Sequence, residues 1–213
     1  MTQAQIILLM LILGGIASLQ FFKGRKVNTL MMIKYIRDFE ESLKPKDKLY
    51  TYIGGYIGFK ANYDINENFI KKIELTLTLL PRQSLLYLPI SYLTRKHDRL
   101  YVVIRLNEKF GYDSHIIKKR FYFPGPIIDN IETFRKEDIV LNGKEFYALY
   151  KNRSDLERLM KLVENSISIE DLRHIAYTRE TNVLFLLLKP NLEKTAKDLK
   201  NLTKELTNLL KVM

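Results

Sequence analysis

The chain contains no cysteine and no tryptophan, and only three of its 213 residues are histidine. Without cysteine, the protein has no disulfide framework, no thiol nucleophile and no thiolate metal site. The histidines His97, His115 and His174 lack the spacing of a metal-ligand motif, and none lies in a recognised motif with a nucleophile. Ser84 and Ser154 fit helix caps better than nucleophiles. We therefore predict that the protein is not an enzyme and has no cofactor, although residues distant in sequence can still meet in a fold.

Negative charge is also scarce. The chain has 24 Asp and Glu against 35 Lys and Arg, which gives a net charge of +11. Such an excess favours an acidic partner, either nucleic acid or anionic lipid headgroups. The charge alone does not distinguish these two partners. A domain beside the cytoplasmic face of a membrane is also often basic simply because membrane topology requires it.

The beginning of the chain has no charge at all. The run from Ile6 to Phe22 is apolar except for Ser18 and Gln20. It approaches the roughly 17 to 25 residues that a helix needs to cross a hydrocarbon core of about 30 Å. Directly after it come three cations, Lys23, Arg25 and Lys26. By the positive-inside rule, the N-terminus is expected outside the membrane and the rest of the chain in the cytoplasm.

A cleaved signal peptide is the alternative interpretation of this run. It would need a basic segment before the apolar residues and a small-residue cleavage site after them. The leader MTQAQ has no basic side chain, and the residues that follow the run are aromatic and basic. We therefore predict an uncleaved single-pass anchor over residues 1–26.

Residues 27–190 have the length of one domain with a real core. Val27–Lys44 has apolar residues at helical intervals and ends before Pro45, which predicts either an amphipathic helix that leaves the membrane or an ordinary core helix. Two further helices are predicted, a short one capped by Ser84 and one that begins with a capping box of Ser154 and Glu157. Strand patterns lie around the pair Gly54-Gly55, which predicts a hairpin or a sharply bent strand, and at 72–80, 100–106, 144–150, 167–178 and 182–188. The fold class expected is α+β, with a mixed or antiparallel sheet and packed helices.

The last segment, 191–213, is predicted to be an amphipathic helix capped by Asn191. Its apolar residues step by three and four, which is the pattern of a helix that packs on another surface. This seam consists of Leu192, Ala196, Leu199, Leu202, Leu206, Leu209 and Met213. Two arrangements fit the pattern, because the seam can dock on its own domain or bind a partner helix.

Two clusters of cations are candidate contacts for rRNA phosphates. They are Arg95, Lys96 and Arg99, and Lys118, Lys119 and Arg120. The second cluster precedes Phe121, Tyr122 and Phe123, and cations interleaved with aromatic residues are typical of RNA-binding surfaces. The alternative is that each cluster is simply a solvated loop or strand end.

The middle of the chain resembles the cytosolic domain of the calumin family, coiled-coil domain-containing protein 47. After the anchor and a glycine-containing strand, the similar residues are Arg82-Gln83-Ser84-Leu85-Leu86 and Asp98 before the next strand. Further on, the similar residues are Phe146-Tyr147-Ala148, Arg153, Leu156, Arg158 and Leu159, which look like the strand-to-helix passage of that family. The resemblance extends from the anchor to about Leu188.

The resemblance implies a membrane protein that associates with the ribosome and the translocon and helps multipass membrane proteins to insert and fold. Its implied partners are the ribosome, a SecY-type channel and a small multi-spanning membrane protein. The family's long acidic segment before the anchor is reduced here to five residues, and its long charged coiled-coil tail is missing. A calcium-buffering role is therefore not expected, and ribosome contact would rest on the cationic clusters and Asn191–Met213.

This compact form fits a prokaryotic version in the plasma membrane; a eukaryotic one would reside in the endoplasmic reticulum. The competing hypothesis is a membrane-anchored scaffold without catalysis, which binds membrane lipids through anionic headgroups or binds another protein.

Overall fold

A computed structural model describes residues 2–65, 69–119 and 126–212. These residues form a nine-stranded sheet with the order β1-β2-β3-β4-β9-β8-β5-β7-β6, and the strand pairings between them are antiparallel. The strands are β1 Asp47–Ile53, β2 Gly58–Asp64, β3 Ile70–Thr78, β4 Arg99–Leu106, β5 Ser114–Lys118, β6 Arg135–Leu141, β7 Lys144–Tyr150, β8 Leu172–Thr178 and β9 Val183–Leu188. The helices are α1 Gln3–Leu43, α2 Tyr87–Thr94, α3 Arg153–Ser166 and α4 Thr195–Val212, with a 3-10 turn at Ile131–Thr133.

The predicted α+β class with an antiparallel sheet is confirmed. The apolar run that becomes β9 lies in the middle of the sheet between β4 and β8, which explains why it has no alternation of polar residues. The glycine pair lies at the turn of the β1–β2 hairpin, where Gly55 has a φ of +70°. The sequence did not predict β5 or β6 as separate strands.

The first helix is a single unbroken element of 41 residues. The predicted boundary at residue 26, between an anchor and a juxtamembrane helix, therefore lies inside one helix. Thr2 caps its start through a capping box with Gln5. The buried residues lie in its second half and are spaced by three or four, as an amphipathic helix requires: Gly24, Asn28, Met32, Tyr35 and Phe39.

Most of the first half of α1 lies away from the domain, and near the end of this half Gln20 contacts the carbonyl oxygen of Arg82. Of the helices that the structure describes, α1 is the one long and apolar enough to cross a membrane, and the residues of its apolar window are not buried. A signal sequence near an N-terminus meets the same criteria of length and composition. The predicted single candidate span is thus present as a helix.

The strands of the sheet end in two rows, and each row lies near one end of the part of α1 that packs on the domain. This part begins at Gly24, which lies against the backbone of Arg82, and it reaches the other end of the sheet at Glu40, which accepts a hydrogen bond from Lys48 at 2.6 Å. We call the first of these the proximal end of the sheet, because the exposed apolar half of α1 projects from it. The strand ends that lie there are Gly58, Thr78, Arg99, Leu188, Leu172, Lys118 and Lys144.

A polar cluster around the buried Asn28 joins α1 to the proximal end, and we call it the polar clamp: Asn28, Arg82 and Asp98. The Asn28 amide is fully buried and donates to the carbonyl oxygens of Tyr56 and Leu80, both at 2.9 Å. Arg82 donates to Asn28 Oδ1 at 3.0 Å and to both carboxylate oxygens of Asp98 at 3.0 and 2.8 Å. The clamp therefore links α1, the hairpin turn and the loop between β3 and β4.

Two predicted helix caps have different outcomes. Ser84 Oγ accepts a hydrogen bond from the amide of Tyr87 at 3.2 Å, but the cap position of α2 is Leu86, which makes no side-chain cap. The predicted capping box of Ser154 is wrong, because α3 begins at Arg153 and its cap is Asn152, whose side chain accepts from two backbone amides. Asparagine and serine are both good cap residues, and the pattern of apolar residues does not distinguish start points two residues apart.

The C-terminal helix docks on its own domain. Leu199, Leu202 and Leu206 of the predicted seam are buried in the main core, and Leu192, Ala196 and Leu209 are partly buried against it. The helix lies between α1 and α3. The seam is therefore occupied inside the molecule, and the arrangement in which it is held out for a partner helix is not the one in the structure. Met213 lies outside the described residues.

Two of the three glycines of α1, Gly24 and Gly15, offer a matched test of this packing. A Cβ at Gly24 would lie 2.1 Å from the carbonyl oxygen of Arg82, whereas a Cβ at Gly15 would meet nothing within 4 Å. We expect Gly24→Ala to cost about 1 to 3 kcal/mol and to lower Tm by about 2 to 12 °C. Gly15→Ala is the control and should leave Tm unchanged or slightly raised. Thermal unfolding of the full chain in detergent, followed by circular dichroism, measures both, and equal Tm values would contradict the close contact.

Candidate functional site

A cationic cleft of about 650 Å³ lies at the proximal end of the sheet. Its walls come from three places: the loop before β4, the adjoining ends of β5 and β7, and the segment that leads into β8. The lining residues are Lys96, His97, Lys118, Lys119, Gly143, Lys144, Glu145, Glu170 and Arg173. Five side chains are cationic and two are carboxylates, so the cleft has the electrostatic character of an anion-binding site.

Two cations converge on one point in this cleft. Lys118 Nζ and Arg173 Nη1 both donate to the carbonyl oxygen of Glu170, at 3.0 and 2.7 Å. Burial lowers the pKa of Lys118, and the positive charges of Arg173 and Lys144 lower it further. Burial likewise lowers the pKa of Arg173. Both groups are partly dehydrated and close to other cations, so an anion bound between them would stabilise their charged forms.

The rest of the cleft is held by hydrogen bonds and ion pairs. Arg173 Nε donates to His97 Nε2 at 3.4 Å, and burial lowers the pKa of His97. Lys119 forms an ion pair with Asp138 at 3.0 Å and lies 3.8 Å from Glu145. These contacts set the positions of the walls. Lys96, in contrast, is exposed at the rim of the cleft.

The structure brings together part of both predicted cationic clusters. Lys96, Lys118 and Lys119 line the cleft. Arg95 is exposed at the end of α2, and Arg99 is half-buried at the start of β4; neither lines the cleft. Arg120 lies outside the described residues, as do Phe121, Tyr122 and Phe123, so the predicted interleaving of cations with aromatic residues stays a prediction.

Sequence reasoning missed Lys144 and Arg173 as members of the site. Each is a single cation within a segment that was predicted as a strand, so neither belongs to a cluster along the chain. The pairings that bring them to the cleft are β5 with β7 and β5 with β8. The signal that could have found them is the order of strands in the sheet, which the local sequence does not contain.

The three histidines also acquire partners through the fold. On the face of the sheet opposite the helices, His115 Nδ1 lies 3.2 Å from His174 Nε2, and the two rings stack at 5.4 Å. Phe134 makes a T-shaped contact with His115, and Phe185 makes one with His174. Within the described residues, no group of three or more His, Asp or Glu side chains is placed to hold a metal ion.

The histidine pair predicts how stability depends on pH. Burial lowers the pKa of His115 to about 4 and that of His174 to about 3. Both imidazoles are therefore neutral in the folded protein, whereas in the unfolded chain they take up protons as the pH falls through about 6.5. Folding then excludes protons that the unfolded chain binds, so the free energy of unfolding decreases from pH 6.5 down to about 4.

His174→Gln tests this expectation, because glutamine keeps a polar group and removes one titration. The midpoint of urea unfolding, measured at pH 7 and pH 4.5, should shift less in the variant than in the parent chain. Multiplied by the m value, the difference between the two shifts is expected to be on the order of 2 kcal/mol in the free energy of unfolding. Identical shifts would contradict a neutral buried His174, since the carboxylates titrate equally in both proteins.

Comparison with known proteins does not assign this chain to a family. No protein-family model matches it, and no curated protein matches it either. The resemblance to the calumin family therefore stays a prediction, and the site itself is the basis for the function.

Proposed function

We propose that this protein is anchored in a membrane by α1 and binds rRNA phosphates through the cationic cleft, beside a SecY-type channel during insertion of multipass membrane proteins. One observation supports the proposal. Five cations lie together at the end of the sheet from which the apolar half of α1 projects: Lys96, Lys118, Lys119, Lys144 and Arg173. A membrane helix and a phosphate-binding surface are thus combined in one domain.

The clamp between α1 and the domain supports an anchor rather than a cleaved signal sequence. Gln20 Nε2 donates to the carbonyl oxygen of Arg82 at 2.6 Å, and Asn28 is buried eight residues later. The last turns of the apolar run are therefore part of the folded domain. Cleavage after the run would remove the Gln20 contact.

The cations that follow the apolar run support a cytoplasmic domain. Lys23, Arg25 and Lys26 lie directly after it, and the positive-inside rule retains such residues in the cytoplasm, where ribosomes are. Arg25 also stacks over the ring of Tyr56 at 4.3 Å, so this charged turn belongs to the proximal end. The membrane would be the plasma membrane in a prokaryote and the endoplasmic reticulum in a eukaryote.

The chemistry of the cleft suits phosphate groups. Lysine and arginine donate several N–H bonds each, and phosphate oxygens accept them with additional strength because both partners are charged. Partial burial strengthens this attraction relative to a fully exposed cation. Anchoring adds a second advantage, because it raises the effective concentration of the cleft next to any ribosome that is bound to a channel in the same membrane.

The resemblance to the calumin family supplies the more specific part of the proposal. It accounts for the channel, the multipass substrates and a small multi-spanning membrane partner. Arg82 and Asp98, two of the residues that carry the resemblance, are both members of the polar clamp. In this proposal they do not contact the ribosome but hold the domain at a defined angle to the anchor.

The position of the cleft also favours a second candidate, a scaffold that binds anionic lipid headgroups. The cleft lies at the same end of the sheet from which the anchor projects, so in this candidate its cations face the membrane. Clusters of Lys and Arg just cytoplasmic of a transmembrane helix are attracted to anionic lipids by about 1 kcal/mol per cation. Lipid phosphates and rRNA phosphates offer the same hydrogen-bond acceptors.

Co-sedimentation with ribosomes from the same source tests the first candidate. The triple variant Lys96→Gln, Lys118→Gln and Lys144→Gln should bind more weakly. The slope of log affinity against log salt concentration should also become less negative by about 2 to 3, as loss of three phosphate contacts predicts. The control removes the same charge from exposed positions on α3 and α4, with Lys161→Gln, Lys200→Gln and Lys204→Gln. Equal salt slopes for the two triple variants would refute ribosome binding by the cleft. Bulk RNA that displaces the protein as effectively as ribosomes bind it would refute it as well.

Protection of lysines from an amine-reactive reagent tests the second candidate. The full chain is reconstituted in vesicles of phosphatidylcholine with increasing phosphatidylglycerol, and modification of each lysine is measured by mass spectrometry. If the cleft binds headgroups, protection of Lys96 and Lys144 should rise with phosphatidylglycerol, while Lys161 and Lys200 stay reactive. Protection that depends on added ribosomes and not on lipid composition would exclude the scaffold candidate.

A further inference from the structure

The helix α2 exposes its apolar residues and buries a polar one. Ser91 is its buried residue and is 7 % exposed, whereas Leu93 is 80 % exposed and Leu86, just before the helix, is 78 % exposed. A surface helix of a protein in water normally has the opposite arrangement. The large apolar side chains exposed in and just before α2 are Leu85, Leu86, Tyr87, Ile90, Tyr92 and Leu93. A contiguous apolar surface of this kind marks a site of interaction.

The composition of this segment identifies the type of surface it suits. The 12 residues from Gln83 to Thr94 contain no charged side chain, and Arg95 and Lys96 follow immediately. Tyr87 and Tyr92 combine an apolar ring with a hydroxyl, and such residues concentrate where hydrocarbon meets water. The helix has only eight residues, so it is far too short to cross a bilayer. Apolar side chains, tyrosines and a basic end are together typical of a helix that lies in a membrane interface.

The fold places α2 where α1 leaves its apolar run. Gln20, near the end of that run, donates to the carbonyl oxygen of Arg82 at 2.6 Å. Gly24 lies against the same peptide. Leu85 follows Arg82 by three residues, which corresponds to at most about 10 Å of chain. If α1 crosses a bilayer, the start of α2 is therefore at the level of the headgroups.

We propose that α2, together with Leu85 and Leu86, lies in the interface of the membrane that α1 crosses, as a second contact of the domain with lipid. The inference rests on the anchor in the proposed function and does not depend on ribosome binding. Its occupant is the bilayer, because the Gln20–Arg82 contact places the exposed apolar side chains of α2 close to the end of the apolar half of α1. A single helix leaves a domain free to turn about the helix axis, and a second contact removes this freedom.

Single-cysteine variants test the proposal directly, since the chain has no cysteine of its own. Leu86→Cys and Leu93→Cys report on α2, and Ile16→Cys reports on the apolar half of α1. Leu49→Cys is the control, because Leu49 is 63 % exposed but lies in the distal half of β1. All four side chains are exposed, so the variants should keep the Tm of the parent chain. Each is labelled with an environment-sensitive nitrobenzoxadiazole dye in vesicles of phosphatidylcholine and phosphatidylglycerol.

Quenching by spin-labelled lipid then gives the depth of each dye. At positions 86 and 93 we expect blue-shifted emission and stronger quenching by a nitroxide at acyl carbon 5 than at carbon 12. At position 16 we expect strong quenching by the deeper nitroxide, and at position 49 neither a blue shift nor quenching. This pattern places α2 in the interface and α1 across the bilayer.

The other outcomes separate the proposal from the anchor on which it rests. Quenching at position 16 but not at 86 or 93 overturns the interfacial helix and leaves the anchor intact. A blue shift at 86 and 93 without lipid quenching also overturns it, because a second copy or another protein then covers α2. The absence of quenching at position 16 refutes the anchor itself, and the interfacial helix with it.

Discussion

The fold depends on the burial of one asparagine against one ion pair. Asn28 is fully buried in the polar clamp, where its amide bonds two backbone carbonyls and its oxygen accepts from Arg82. A buried amide is costly unless its hydrogen bonds are made, and a mostly buried cation such as Arg82 needs the carboxylate of Asp98. Each group therefore requires the other two. Because they come from α1, the loop after β3 and the loop before β4, satisfying them fixes the anchor relative to the sheet.

The features that sequence predicted are those that nearby residues determine. The apolar run of α1, the hairpin at Gly54-Gly55, the buried strand β9 and the seam of α4 all follow from composition or period over a short window. The features that it missed depend on contacts between distant segments. Arg82 and Asp98 were noted as a short motif, but nothing local showed that they pair across Asn28. Likewise, Ser84 predicted a short apolar helix without showing that its apolar side chains would be exposed.

The cations of the candidate site also show that sequence alone does not reveal contacts between distant segments. Several cations elsewhere on the domain pair with carboxylates, as Arg105 does with Glu74 at 2.8 Å and Lys151 does with Asp113 at 2.5 Å. In the cleft, Lys118 and Arg173 instead donate to a backbone carbonyl, which carries no net charge. The net charge of +11 does not distinguish a cation that pairs with a carboxylate from one that donates to a backbone carbonyl. The fold does, because it brings Lys118 and Arg173 together in the cleft on one backbone carbonyl.

The anchor, α2 and the cleft all lie at the proximal end, and this shared position affects binding. A domain that hangs from one flexible contact loses rotational freedom whenever it binds a large partner, and that loss opposes binding. The polar clamp makes the connection to α1 rigid, and the interfacial contact of α2 would prevent rotation about the helix axis. The cleft would then be presented at a constant height and direction above the lipid, so that less freedom remains to be lost. Phosphates of a ribosome or of the lipid surface would meet cations that the fold has already placed.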